Sequence, residues 1–203
     1  MIIDLTLSID SKTPNWPGDP EIVIRQFSTV EKDAIGKKVL TFHSHFSTHI
    51  DAPSHMIANG KTLSDYPMEK FVGEGIVLDV RGQKEIETNL DSVKEGDIVF
   101  FLTGHSDKVY EKDYFGSNPV LASKTAQELI NKKIKMVGLD SPTPDNAPYT
   151  LHKLFFKHDI LIVENLVNLK GLAGKRFQCY VLPLKIEGGD GAPCRVIGII
   201  KNR

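Results

Sequence analysis

Ser123-Lys-Thr-Ala-Gln-Glu-Leu-Ile-Asn-Lys-Lys133, followed through Ile134 by Lys135-Met-Val-Gly-Leu-Asp140, decides the fold class. Ala126, Leu129, Ile130 and Ile134 recur at helical spacing, and Ser123 stands where an N-cap would. The second run is short, apolar and bounded by polar residues, as buried strands are. A helix that leads directly into a strand belongs to a mixed α/β protein.

The chain on either side agrees. Upstream, Gly75–Val80 and Asp97–Thr103 are short apolar runs between turn residues and read as strands. Residues 39–52 are rich in β-branched and aromatic types and read as one strand that Pro53 ends. Residues 2–7 suit another strand. Between them Pro14 and Pro17-Gly18-Asp19-Pro20 make a loop, which carries the only tryptophan, Trp16. Downstream, a proline-rich loop at 141–148 leads into a short helix at about 149–157, and then into the strand Ile160–Glu164. Two last strands, Phe177–Ile186 and Arg195–Ile200, flank Gly188-Gly-Asp-Gly-Ala-Pro193. Strands at both ends with helices in the middle predict one α/β domain over residues 1–203, without linker or repeat.

Composition narrows the partners. Of the 203 residues 40% are hydrophobic and 25% charged, and the net charge of −1 argues against a nucleic-acid surface. No apolar run approaches the roughly 20 residues of a membrane span, and the N-terminus lacks the pattern of a signal peptide. Cys179 and Cys194 are the only cysteines, too few for a disulfide framework or a cysteine-rich zinc site. These features predict a soluble, cytosolic protein whose partners are small molecules or its own copies.

Four of the seven histidines lie between positions 43 and 55. His43, His45, Ser47, His49, Asp51 and His55 share odd parity, so on a strand they would occupy one face, with Phe46, Thr48 and Ile50 packing behind. Imidazoles and a carboxylate crowded together repel when protonated and are costly to bury. A divalent cation removes both penalties, because neutral imidazole and carboxylate are good ligands for zinc and its neighbours. His45, His49, Asp51 and His55 are therefore candidate metal-site residues, with His43 at the rim. Distal ligands are sought next in His152, on the short helix, and in Glu164, which ends an apolar strand where an unpaired carboxylate would be expensive. His105 and His158 read as residues of polar, exposed turns.

His45-x-Ser-Thr-His49-Ile-Asp51-Ala-Pro53-Ser-His55 resembles the H-x-G-T-H-x-D-x-P-x-H signature of the cyclase family, which includes bacterial kynurenine formamidases. The resemblance extends to Asp4-Leu-Thr, Trp16-Pro-Gly-Asp19, His152 through Leu169, Pro183-Leu-Lys-Ile, and Asp190-Gly-Ala-Pro, and so spans nearly the whole chain. It implies a swivelling β/β/α fold, a dimer or larger assembly, and metal-dependent amide hydrolysis. It also implies roles: His45, His49 and Asp51 on a first zinc, Asp51 and Glu164 bridging to a second that His152 completes, His55 as acid/base, and Trp16 lining the pocket of an aromatic amide such as N-formylkynurenine. The same signature looks like that of isatin hydrolases and other cyclic-amide hydrolases, some of which prefer manganese. Ser47 departs from the pattern, standing where the signature has glycine.

Two other classes fit parts of the pattern. His49-x-Asp51 with a distant histidine could form the facial triad of a non-haem iron oxygenase, with Arg176 as cosubstrate anchor. That reading leaves His45, His55 and Glu164 unused. A metal-binding protein without turnover would keep the ligands but has no use for His55 or the tryptophan loop.

Overall fold

Alternate side chains of the central strands feed two different cores. Ile98, Phe100 and Leu102 pack into one, while Val99 and Phe101 pack into the other. Strands buried on both faces read as continuous apolar runs, which is why these segments were legible as buried strands. The computed structural model describes residues 1–200.

Its strands are β1 (Ile2–Asp4), β2 (Val23–Ser28), β3 (Lys37–Thr41), β4 (His49–Asp51), β5 (Val72–Asp79), β6 (Glu85–Ile86), β7 (Ile98–Leu102), β8 (Val120–Leu121), β9 (Met136–Leu139), β10 (Leu161–Glu164), β11 (Arg176–Pro183) and β12 (Gly191–Ile199). Helix α1 (Val30–Asp33) is a single turn, and α2 (Ser123–Asn131) and α3 (Thr150–Lys157) are longer. The main sheet runs β1-β12-β11-β5-β7-β9-β10-β4, and β4 pairs again with β12, so the sheet closes on itself with β1 outside the ring. β5, β7, β9 and β10 are mutually parallel, and the other pairings of this sheet are antiparallel. The mixed α/β class expected from the sequence is the one observed.

One core fills the ring with Ile50, Val77, Phe100, Val163, Val181 and Val196 among others. The second lies outside it, where Leu129 and Ile130 of α2 and Leu151, Phe155 and Phe156 of α3 cover Val99, Val137 and Ile162. No helix among the described residues is long and apolar enough to cross a membrane.

Four local expectations need correction. Residues 39–52 are not one strand: β3 belongs to a separate hairpin with β2, and only His49–Asp51 joins the main sheet. The break has a physical cause at Ser47, whose φ of 59° lies in the left-handed region that no continuous strand accommodates. Ser123 is the first helical residue and not the N-cap of α2, because Ala122 is still held in extended form by its N–H bond to the Ile86 carbonyl, 3.1 Å. The last strand begins at Gly191, so Gly191–Pro193 pair with β4 and are not a connecting loop. His105 is buried rather than exposed, its Nε2–H donating to the Tyr114 carbonyl at 2.7 Å. His158 is exposed, as expected.

Candidate metal centre

Strand periodicity builds the centre. Ile50 points into the ring, so its neighbours His49 and Asp51 point out of it, beneath α3. The β4–β10 register sets Glu164 opposite His49, and Glu164 shares the outer face with Ile162. His152, in the first turn of α3, comes down onto that face. The loop before β4 delivers His45, and the turn Pro53–His55 delivers His55. His49, Asp51, His152 and Glu164 are all buried.

The distances fall into two groups that share Asp51. Asp51 Oδ1 lies 2.7 Å from His45 Nδ1 and 3.3 Å from His49 Nε2, while Oδ2 faces His152 Nε2 at 3.9 Å. Glu164 divides in the same way, Oε2 at 3.3 Å from His49 Nε2 and Oε1 at 3.2 Å from His152 Nε2. One donor atom from each of His45, His49 and Asp51 lies within 4.8 Å of the others, and the same holds for Asp51, His152 and Glu164. His55 stands at the edge, its ring centroid 3.8 Å from that of His45.

Outer partners fix the rings. His49 Nδ1–H donates to the Ser47 carbonyl at 2.9 Å, and His152 Nδ1–H donates to Asp145 Oδ1 at 2.5 Å. Those acceptors hold the proton on Nδ1 and leave the Nε2 lone pairs facing inward, the arrangement metal-binding histidines adopt. His45 is held on its other side by Asp190 Oδ2, 3.0 Å from Nε2. A Cβ at Gly191 would come within 2.5 Å of the His45 ring, so only glycine fits there. A second layer follows: Asn165 Nδ2 donates to the Ser47 carbonyl at 3.0 Å, and the Tyr114 hydroxyl donates to Asn165 Oδ1 at 2.7 Å.

The field suits a cation. Burial disfavours charge on His45, yet Asp51 and Asp190 outweigh it and push its pKa up to about 10. Burial likewise opposes charge on His152, but its bonds to Asp145 and Glu164 raise it to about 10. Burial would raise Asp51, but the neighbouring histidines hold it well below the usual carboxylate range. His55 differs: burial lowers its pKa, and His45 and His152 together with that burial outweigh the pull of Asp51. The carboxylates that favour a proton on these imidazoles would equally favour a divalent cation of the zinc or manganese kind, which would take the place of the proton and bind imidazole nitrogen and carboxylate oxygen in this buried site.

A cavity of about 390 Å³ opens onto the cluster. Trp16, Phe46, Met56, Phe115 and Tyr149 give it aromatic and apolar walls, and Trp16 meets Phe115 edge to face at 5.1 Å between centroids. His43 belongs to the rim, where its Nε2 lies 2.8 Å from Asn15 Oδ1 and 3.4 Å from Asp19 Oδ2.

The Cyclase family model matches residues 3–146 of this chain. The chain belongs to the cyclase family. A kynurenine formamidase of Erythrobacter litoralis (strain HTCC2594) is 31% identical over 203 residues, covering 97% of this chain and 92% of the relative. A solved structure described as a potential metal-dependent hydrolase with cyclase activity is 27% identical, with a TM-score of 0.82 over 100% of this chain and 99% of that one. Isatin hydrolase A from Ralstonia solanacearum, at 22% identity, shares the fold, with a TM-score of 0.87 over 99% of this chain and 92% of its own.

Within this cyclase-family chain, the structure brings together six of the seven residues singled out from the sequence, and the seventh, Trp16, lines the cavity beside them. Arg176 lies elsewhere, bonded to Glu74 and to Asp97, which removes the anchor that an oxygenase would need. Ser47 adopts the left-handed backbone that a signature glycine would supply, and its hydroxyl donates to the Leu7 carbonyl at 3.0 Å. Sequence reasoning missed Asp145, Asp190, Asn165 and Tyr114. The available hint was a carboxylate at position 145 among prolines and another at 190 among glycines, where a turn alone needs no charge.

Proposed function

We propose that the protein is a metal-dependent amide hydrolase that converts N-formyl-L-kynurenine, or a similar aryl formamide, to the free amine and formate. The observation that carries this reading is the division of Asp51 and Glu164, each offering one oxygen toward His49 and the other toward His152. His45, His49 and Asp51 would hold one divalent ion, and Asp51, His152 and Glu164 a second, with zinc the first choice and manganese the other. Such ions supply Lewis acidity toward the amide carbonyl and lower the pKa of water. The 31% identity to a named kynurenine formamidase over nearly the whole chain supports the substrate class.

The chain's own residues do the rest. His55, half-exposed at the edge of the cluster, takes the proton of the attacking water and returns it to the leaving aryl nitrogen. Its lowered pKa keeps the imidazole neutral and ready to accept at pH 7. Trp16, Phe115 and Tyr149 hold the aryl ring and keep bulk water from the reacting carbon. A homodimer or larger assembly in the cytoplasm is part of the same reading, supported by the exposed Phe27, Val30, Ile35 and Leu40 in and beside the β2–β3 hairpin.

The test combines metal analysis with turnover of N-formyl-L-kynurenine. Asp51→Ala and Glu164→Ala should each lose metal and activity together. His55→Ala should keep its metal and lose about 10²–10⁴ in rate. Full metal content and turnover in Asp51→Ala would sink the ligand set. Faster opening of isatin than of any formamide would move the substrate to the cyclic amides, and bound metal with no hydrolysis of either would point to a non-catalytic relative.

A further inference from the structure

The cavity wall is charged unevenly. No lysine or arginine is among the described residues that line it. Outside the ligand cluster and its histidines, the ionisable acidic group on the wall is the carboxylate of Asp19. Its side chain is 38% exposed, which leaves it accessible at the mouth.

Local geometry pairs that carboxylate with the indole. Trp16-Pro17-Gly18-Asp19 forms a turn closed by the Asp19 N–H on the Trp16 carbonyl at 3.1 Å. Proline second and glycine third, with Gly18 at φ 96°, are the signature of a type II turn. The first and last residues of such a turn are neighbours in space, and both Trp16 and Asp19 line the cavity. The loop is also pinned. Asn15 Nδ2 donates to the Pro20 carbonyl at 2.9 Å, and Asn15 Oδ1 accepts from His43 Nε2 at 2.8 Å. A carboxylate and an indole on one mouth, where the basic neighbour is the His43 imidazole 3.4 Å from the carboxylate and no lysine or arginine is among the described lining residues, can recognise an ammonium group, by ion pairing and by attraction to the aromatic face.

We propose that Asp19 and Trp16 select aryl amides whose side chain carries a positive charge: the amide end goes to the cluster, and an ammonium stops at the mouth. This rests on the amide-hydrolase reading above. It sets a specificity that reading leaves open, since a formamide bearing only a carboxylate is repelled at the mouth whereas an ammonium-bearing one is drawn in. In a zwitterionic substrate, the ammonium faces Asp19 and the carboxylate turns to solvent.

The test uses the full, metal-replete chain and three probes built on the same two-carbon side chain: formanilide bearing an ethyl, an aminoethyl or a carboxyethyl group. In the wild type, kcat/KM should fall from aminoethyl to ethyl to carboxyethyl, with each step about five- to tenfold. Asp19→Asn should bring the aminoethyl-to-ethyl ratio close to one, chiefly through KM, and Asp19→Lys should put carboxyethyl first. Ratios within one variant cancel losses of folding or metal. Trp16 is the sole tryptophan, so its fluorescence reads binding of the corresponding acetanilides even where nothing is hydrolysed. No turnover of any probe, with the fluorescence order intact, would count against the hydrolase reading alone. An unchanged ratio in both variants, or equal binding of all three acetanilides by the wild type, would overturn the role given to Asp19.

Discussion

Ser47 shows how a single residue can depart from a signature without disturbing the site. Its left-handed φ costs a non-glycine residue about 1–2 kcal/mol. Its hydroxyl recovers about 1 kcal/mol through the buried bond to Leu7, and serine also restricts the unfolded chain more than glycine does, by about 0.5–1 kcal/mol. The terms nearly cancel. Ser47→Gly should therefore move the calorimetric Tm by less than about 4 °C and leave metal content unchanged. A larger loss would mean that the Leu7 bond holds the whole preceding loop. At this scale the ligands were legible because their chemistry is written in residue type and close spacing, whereas the parity argument that grouped them held only from His49 to Asp51. His45 reaches the cluster through the loop around Ser47, not along a pleat. Asp190 could be singled out as a carboxylate among glycines, but its role could not be read. It is 145 positions from the His45 ring it holds, and nothing local marks that meeting.

Helix α3 brings the element scale into view, since one carboxylate both starts it and aims its ligand. Asp145 Oδ2 accepts the Leu151 N–H at 2.6 Å, satisfying a free amide of the first turn, and Oδ1 accepts His152 Nδ1–H. The two tasks separate in Asp145→Asn. The amide oxygen can still take the Leu151 N–H, but the NH₂ then faces Nδ1 as a donor. His152 must shift its proton to Nε2, which closes that nitrogen to a cation. We expect Asp145→Asn to keep its helix content by circular dichroism and to bind zinc about 10–100-fold more weakly. Unchanged zinc affinity would show that Glu164 alone orients the ring. The helix itself was readable from its periodicity, and so were α2 and the central strands. The start of α2 was not, because the β6–β8 pairing holds Ala122 extended and overrides the capping preference of Ser123.

The architecture of the whole molecule ties its stability to the same site. The ring of strands is closed by β4, three residues long, which pairs with β10 on one side and with β12 on the other. A three-residue strand has no periodicity to read, so this closure could not be inferred from the sequence, although two of its residues could be named as ligands. His49 and Asp51 hang from the closing strand, Glu164 from its neighbour and His152 from the helix over both. Ions held by these groups would clamp the seam. Any ligand bound only by the folded state stabilises by RT ln(1 + [L]/Kd), about 4 kcal/mol at a thousandfold excess over Kd. For a chain of this size, 1 kcal/mol corresponds to about 2–4 °C in Tm, so stripping the metal with a chelator should lower Tm by about 8–16 °C. Asp51→Asn, which weakens both ligand groups at once, should melt low and at the same temperature with or without chelator. Coincident melting curves for the wild type before and after chelation, with metal loss verified, would show that β4 closes the ring through its backbone pairing and its buried Ile50 alone.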